Sequence, residues 1–267
     1  MPYSITEGQK LVLGMIHLSP LPGTPFFTEG SFAATLDTAV RSARALDAGG
    51  ADGCLVQTVD RVYSVEDSAD PARTVAMGLV VNAVRQAVRP DFQIGVQLMR
   101  NALKASLAVA KVAGGSFIRA NALVGMTLTA HGMVRPDPHD VMAYRRGLDA
   151  WDIGVIADID TMHYSWFGGE KSTGEVARAA RGAGADAVSV CHPDDDRTLE
   201  LIGQVRRSAP GLPVILGGHT NHDNAARLLA AADGAFVGTC LERDGWGGEI
   251  DVERVREYVA AVRSVRS

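Results

Sequence analysis

The chain has 267 residues, 46% of them hydrophobic, and a formal net charge of −5. That length suits one domain with a large core, and no apolar run reaches the roughly 18 residues of a membrane-spanning helix. An acidic balance without a basic tract excludes a surface built to follow a nucleic-acid backbone. Cys54, Cys191 and Cys240 are far apart and form no Cys-x-x-Cys pair, which points to a reduced compartment and away from a disulfide frame. The N-terminus, from Met1 to Glu7, lacks the basic start and apolar core of a signal peptide, so the expected location is the cytoplasm.

Residues 10–17 form a short, mostly apolar run suited to a strand covered on both sides. A proline-stiffened loop over residues 18–25 follows, and from Ser31 the apolar positions Phe32, Leu36, Ala39, Val40, Ala43 and Leu46 fall on one helical face. Further strands are expected over residues 54–58, 93–99, 116–121, 153–160, 187–192, 213–217 and 235–238. The intervening helices include 71–88, 102–113, 138–150, 173–183 and 195–208, and a last one over 252–263 closes the chain. A weak repeat marks four helix-to-strand turns, at residues 48–53, 113–116, 183–187 and 231–235, where glycine is the expected C-cap. Strict alternation of eight strands and eight helices predicts a parallel sheet closed into a single-domain (β/α)8 barrel, the TIM barrel.

In such barrels the active site lies at the C-terminal ends of the strands. Here those ends carry His17, Gln57, Gln97 with Arg100 and Asn101, Arg119 with Asn121, Asp158 with Asp160, and His192. Alternation along the fifth strand puts Gly154, Ile156, Asp158 and Asp160 on one face, so both aspartates are expected in the barrel mouth with His163 just beyond. Two close carboxylates divide acid and base roles when one pKa rises. No cofactor is required, although a divalent metal shared between an aspartate and His163, His17 or His192 is the other solution. A structural reading pairs one aspartate with Arg100 or Arg119. Cys191 and His192 face opposite ways and cannot act together, and none of the four lysines occupies a strand end, which argues against Schiff-base chemistry. The loop His163-Tyr164-Ser165-Trp166-Phe167-Gly168-Gly169 has the composition of a lid that stacks on a planar base, or of ordinary packing. Trp246 is expected to border the phosphate end or a dimer contact.

The last two strands end in Gly217-Gly218-His219-Thr220 and Gly238-Thr239. Two glycine loops of this kind, each backed by a helix start, make a backbone cradle for phosphate at Gly217, Gly218, His219, Gly238 and Thr239.

Met15-Ile16-His17-Leu18-Ser19-Pro20-Leu21-Pro22-Gly23-Thr24-Pro25 resembles the opening signature of the BtpA/SgcQ family. Gln97-Leu98-Met99-Arg100-Asn101, Phe117-Ile118-Arg119-Ala120-Asn121 and Ala235-Phe236-Val237-Gly238-Thr239 continue the match over nearly the whole chain. The resemblance implies a barrel of the ribulose-phosphate-binding type. It also implies links to photosystem I biogenesis in one branch and to a sugar-utilisation operon in another. The chain departs from the family pattern at Asp160 and Met162, where lysines are usual, at Gln57-Thr58 in place of Glu-Asn, and at Gly217-Gly218-His219-Thr220-Asn221 in the phosphate loop.

The leading expectation is an enzyme acting on a phosphorylated sugar or nucleotide. It would cleave or form a glycosidic bond with Asp158 and Asp160, assisted by His17 or His163, while Gln57, Gln97, Arg100, Asn101, Arg119, Asn121 and His192 hold the substrate. The alternatives are a sugar-phosphate isomerase or epimerase, metal-dependent or not, and a non-catalytic assembly or stability factor. The expected partners are a phosphorylated small molecule and further copies of the same chain.

Overall fold

The computed structural model describes Ile5 and residues 10–266; Ile5 aside, the N-terminal segment read above for a leader lies outside the described residues. Eight parallel strands close into a barrel: β1 (Leu11–Leu18), β2 (Gly53–Thr58), β3 (Gln93–Gln97), β4 (Phe117–Ala120), β7 (Gly154–Asp160), β8 (Ala187–Val190), β9 (Val214–Leu216) and β10 (Gly234–Val237). Their order around the barrel is β1-β10-β9-β8-β7-β4-β3-β2. Between them run α1 (Phe32–Ala48), α2 (Pro71–Ala87), α3 (Leu103–Ala113), α4 (Pro138–Gly147), α5 (Thr173–Gly182), α6 (Asp195–Ser208) and α7 (Ala225–Ala231), and α8 (Val252–Arg263) follows. The chain is therefore a (β/α)8 TIM barrel. No helix among the described residues is long and apolar enough to cross a membrane.

One element was not expected. The connection after β4 carries an antiparallel hairpin, β5 (Thr127–Thr129) and β6 (Gly132–Val134). Three-residue strands are too short to leave a readable alternation.

Helix starts follow the capping chemistry of the sequence. Asp70, Asp137, Asp194 and Asp251 accept backbone N–H groups of the first turns of α2, α4, α6 and α8, and Ser172 with Glu175 forms a capping box at α5. At the repeated turns Gly50, Gly114 and Gly184 adopt positive φ as expected. At the fourth turn the C-cap Ala232 is extended and Gly234 does not take positive φ. The residue just before every second barrel strand has a further task. Asp52, Asp186 and Asp233 each accept, at 2.8 Å, the N–H of Val12, Val155 and Val214 near the start of the preceding strand, and Ser116 does the same for Ile94 at 3.3 Å.

The barrel interior is layered. Leu11, Leu13, Met15, Leu55, Phe117, Ile156, Ala187, Ile215 and Phe236 form a buried cluster separate from the larger core between barrel and helices. Gly95 makes room for it, since a Cβ there would lie 2.2 Å from the Phe117 ring. Two residues further along the same strand faces come His17, Gln57, Gln97, Arg119, Asp158, Ser189 and Gly217. An apolar plug therefore closes the barrel beneath a polar ring.

Candidate functional site

Above that ring lies a cavity of about 1270 Å³ at the C-terminal ends of the strands. Its walls include His17, Gln57, Tyr63, Arg100, Arg119 and His163, together with the loops after β9 and β10. The floor is held by a buried network. Arg119 Nε donates to Asp158 Oδ1 at 3.0 Å and Arg119 Nη2 to the Gly217 carbonyl at 3.3 Å, while its guanidinium sits 4.7 Å from the Phe236 ring centre. Asn121 Nδ2 donates to Asp158 Oδ2 at 3.1 Å, and Gln97 Nε2 donates to Asn121 Oδ1 at 3.2 Å. Asp158 and Arg119 are 1% and 2% exposed, so this ion pair lies in a low-dielectric setting, where breaking it is costly.

Three histidines line the cavity: His219 on the loop after β9, and His17 and His163 on its walls. His17 Nδ1 lies 3.9 Å from Glu242 Oε1, and its ring is 5.8 Å from that of Trp246. On the other wall, Arg100 Nη1 approaches His163 Nδ1 at 3.4 Å, and the Arg100 guanidinium lies 5.3 Å from the Tyr63 ring. Arginine can only donate, so His163 Nδ1 accepts and the imidazole proton is on Nε2. Burial, reinforced by the Arg119 charge, lowers the His163 pKa from its ordinary 6.5 to about 4. The ring is therefore neutral at pH 7. As pH falls from about 6.5 towards 4, the unfolded chain takes up a proton that the folded chain refuses, so stability declines through that window. His163→Gln should flatten the decline in urea melts run between pH 7 and 4.5; parallel curves for variant and parent would contradict the assignment.

The glycine loops border the same cavity. The N–H groups of Gly218, His219, Gly238 and Thr239 meet no backbone or side-chain acceptor among the described residues. His219 is held in the left-handed region at φ 57°, and Asn224 Nδ2 donates to its carbonyl at 3.0 Å. Gly217 is different, because its N–H donates to Val190 O at 2.9 Å. Its role is steric: a Cβ there would lie 2.7 Å from Ser189 Oγ and 3.2 Å from Arg119 Nη2.

A family model described as the BtpA family matches residues 8–264. The chain belongs to the BtpA family. It is 32% identical over 257 residues to the photosystem I biogenesis protein BtpA of Synechocystis, covering 94% of this chain and 87% of that protein. Solved barrels share the fold at low identity. Thiamine phosphate pyrophosphorylase from Pyrococcus furiosus superposes with a TM-score of 0.59 at 17% identity, covering 97% of this chain and 99% of that one. A 3-hexulose-6-phosphate synthase gives 0.55 at 16%, covering 94% and 100%.

Several expected site residues of this BtpA-family barrel lie elsewhere. Asp160 does not share the mouth with Asp158. The β7–β8 register pairs Asp158 with Ser189 and Asp160 with Val190, so Ile159 is an extra residue in a bulge that turns Asp160 outward. Asp160 Oδ2 there accepts from Thr173 Oγ1 at 2.8 Å, facing a second cavity of about 580 Å³ beside Trp166 and Lys171. Asn101 is buried and clasps the backbone of Ala122 through both its oxygen and its amide nitrogen. His192 is exposed, its Nδ1 accepting the Asp194 N–H at 3.0 Å. Asp160 and His192 thus lie outside the mouth, and no group of three or more potential metal ligands occurs among the described residues.

The aromatic loop does not form a lid. Tyr164 is buried with its hydroxyl donating to Val124 O, and Trp166 packs against Gly125, so of the aromatic set only His163 reaches the cavity. Trp246 does line it, which favours the phosphate-end reading of that residue. The helices behind the cradle also start late: α7 begins at Ala225, and after Gly238 comes only a three-residue 3-10 turn. Two residues of the site, Tyr63 and Glu242, were not singled out from the sequence. Tyr63 is placed by its hydroxyl accepting the Asp60 N–H at 2.9 Å, with Asp60 itself paired to Arg73. Both stand in loops, and the only sequence trace they leave is a polar or aromatic residue close behind a strand end.

Proposed function

We propose that this chain is an enzyme that moves a proton at a carbon next to the carbonyl of a phosphorylated sugar, as in aldose–ketose isomerisation or epimerisation. The observation that carries the reading is that His17 and His163 line one cavity, with His163 neutral and its Nε2–H available. A neutral imidazole that donates to a carbonyl oxygen stabilises the charge developing there, and a second imidazole removes and returns the proton on carbon. His17, beside Glu242, takes the second role. The unpaired N–H groups of Gly218, His219, Gly238 and Thr239 would hold the phosphate, a frequent use of the loops after the last two strands of such barrels.

Glycosidic chemistry has less support. It needs two carboxylates on the reacting centre, whereas Asp158 is ion-paired beneath the cavity and Asp160 faces the opposite side of its strand. A non-catalytic assembly role has its support in the name of the Synechocystis relative and predicts that His17→Asn leaves biological function intact.

Proton NMR of ribose 5-phosphate and ribulose 5-phosphate in D2O tests the proposal. The enzyme should wash deuterium into the C–H adjacent to the carbonyl. Unchanged C–H signals across a panel of aldose and ketose phosphates would sink it.

A further inference from the structure

Four side-chain atoms of the polar ring have no hydrogen-bond partner among the described residues: His17 Nδ1, Ser189 Oγ and two amide oxygens that can only accept. Gln57 Oε1 and Gln97 Oε1 are both buried and unpartnered, in side chains that are 6% and 1% exposed. They stand side by side, since Gln57 pairs with Gln97 across β2 and β3 and with His17 across β1. Gln57 lines the cavity.

The sense of the Gln97 amide is dictated from behind. Asp158 can only accept, and Arg119 occupies its Oδ1. Asn121 must therefore turn its Nδ2 to Asp158 Oδ2, which leaves Asn121 Oδ1 towards Gln97. Gln97 must then turn its Nε2 to Asn121, and its oxygen is the atom left over. A carboxylate thus fixes, through two amides, that the strand-end group on β3 is an acceptor. A buried acceptor without a donor is costly, so the ring is built for a ligand that brings donors.

We infer that Gln57 and Gln97 form a subsite for two neighbouring hydroxyl groups of the substrate, with Asp158 and Asn121 as positioning residues. Adjacent strands lie about 4.8 Å apart, a span that hydroxyls on neighbouring carbons bridge when each donates over about 2.8 Å. The inference rests on the sugar-phosphate reading and adds that the sugar carries an intact vicinal diol. A site whose buried acceptors lose a donor rejects the deoxy analogue, by ~10- to 100-fold for one bond.

Calorimetric titration with ribose 5-phosphate and 2-deoxyribose 5-phosphate reads this ratio directly. The parent should favour ribose 5-phosphate by that factor. Gln97→Met and, independently, Gln57→Met should bring the ratio close to one. Equal binding of both sugars by the parent overturns the subsite and leaves the sugar-phosphate reading standing. A ratio unmoved by both methionine variants, with folding checked by circular dichroism, overturns it as well. Binding of neither sugar removes the sugar-phosphate reading and the subsite with it.

Discussion

Asp158→Ala is expected to destabilise the fold by about 3–5 kcal/mol, the usual consequence of stranding a buried charge. The Arg119 guanidinium would keep only the Gly217 carbonyl and the Phe236 ring, at 2% exposure and without an anion. Asn121 would lose its acceptor in the same change. For a chain of about this size each kcal/mol lowers the melting temperature by roughly 2–4 °C, so a fall of about 6–20 °C should appear in calorimetry. Removing both charges is the informative contrast. Asp158→Leu with Arg119→Met takes away the stranded charge together with its partner, and such replacements are often neutral or stabilising. If the single variant were as stable as the double, the pair would not be the buried, mutually dependent unit described above.

His17→Asn should lower the proposed proton transfer by about 10²- to 10⁴-fold, the range typical of losing a positioned acid–base group. The loss should fall on kcat and leave phosphate affinity almost unchanged, because the cradle's donors are backbone N–H groups that the substitution leaves in place. Asparagine keeps a polar group within reach of Glu242 and Trp246, so packing around Met15 and Gly238 is preserved. Steady-state rates and the binding constant for ribose 5-phosphate, measured on one preparation, separate the two quantities. A kcat reduced less than tenfold would place the base elsewhere.

The architecture was legible because each signal was local. Apolar runs ending in polar residues mark strands of a parallel barrel, and apolar spacing such as that of Leu36, Ala39, Ala43 and Leu46, closed by glycine turns, marks the helices in between. Side-chain direction was legible only while the pleat stayed regular. Alternation placed Ile156 and Asp158 inside correctly and failed two residues later, because a bulge is a property of the β7–β8 pairing and leaves no mark on β7 itself. Asn101 failed for a related reason. β3 ends at Gln97, four residues before it, so it belongs to a loop that folds back on Ala122. The glycines of the cradle were readable as a loop, but which N–H groups remain free depends on whether the ladder continues, as it does at Gly217 and does not at Gly218. The neutrality of His163 depends on burial and on Arg119 and Arg100, which approach it from β4 and from the loop after β3.

The acidic and hydroxyl side chains that precede every second strand also bear on how such a barrel comes together. They join β1 to β2, β3 to β4, β7 to β8 and β9 to β10, across sequence separations of 40, 22, 31 and 19 residues. The residues that lead β3, β7 and β9 are Phe92, Ile153 and Pro213, whose side chains cannot accept such a bond. The cylinder is thus a ring of four duplets, each fastened internally by a contact close in sequence, where the entropy of closing the loop is smallest. Other side chains cross two of the remaining seams: Arg119 and Asn121 bind Asp158 between β4 and β7, and Thr58 Oγ1 on β2 accepts the Met99 N–H just beyond β3. Between β8 and β9 the described residues show only the backbone ladder and apolar packing, and that seam is where the wall should open first.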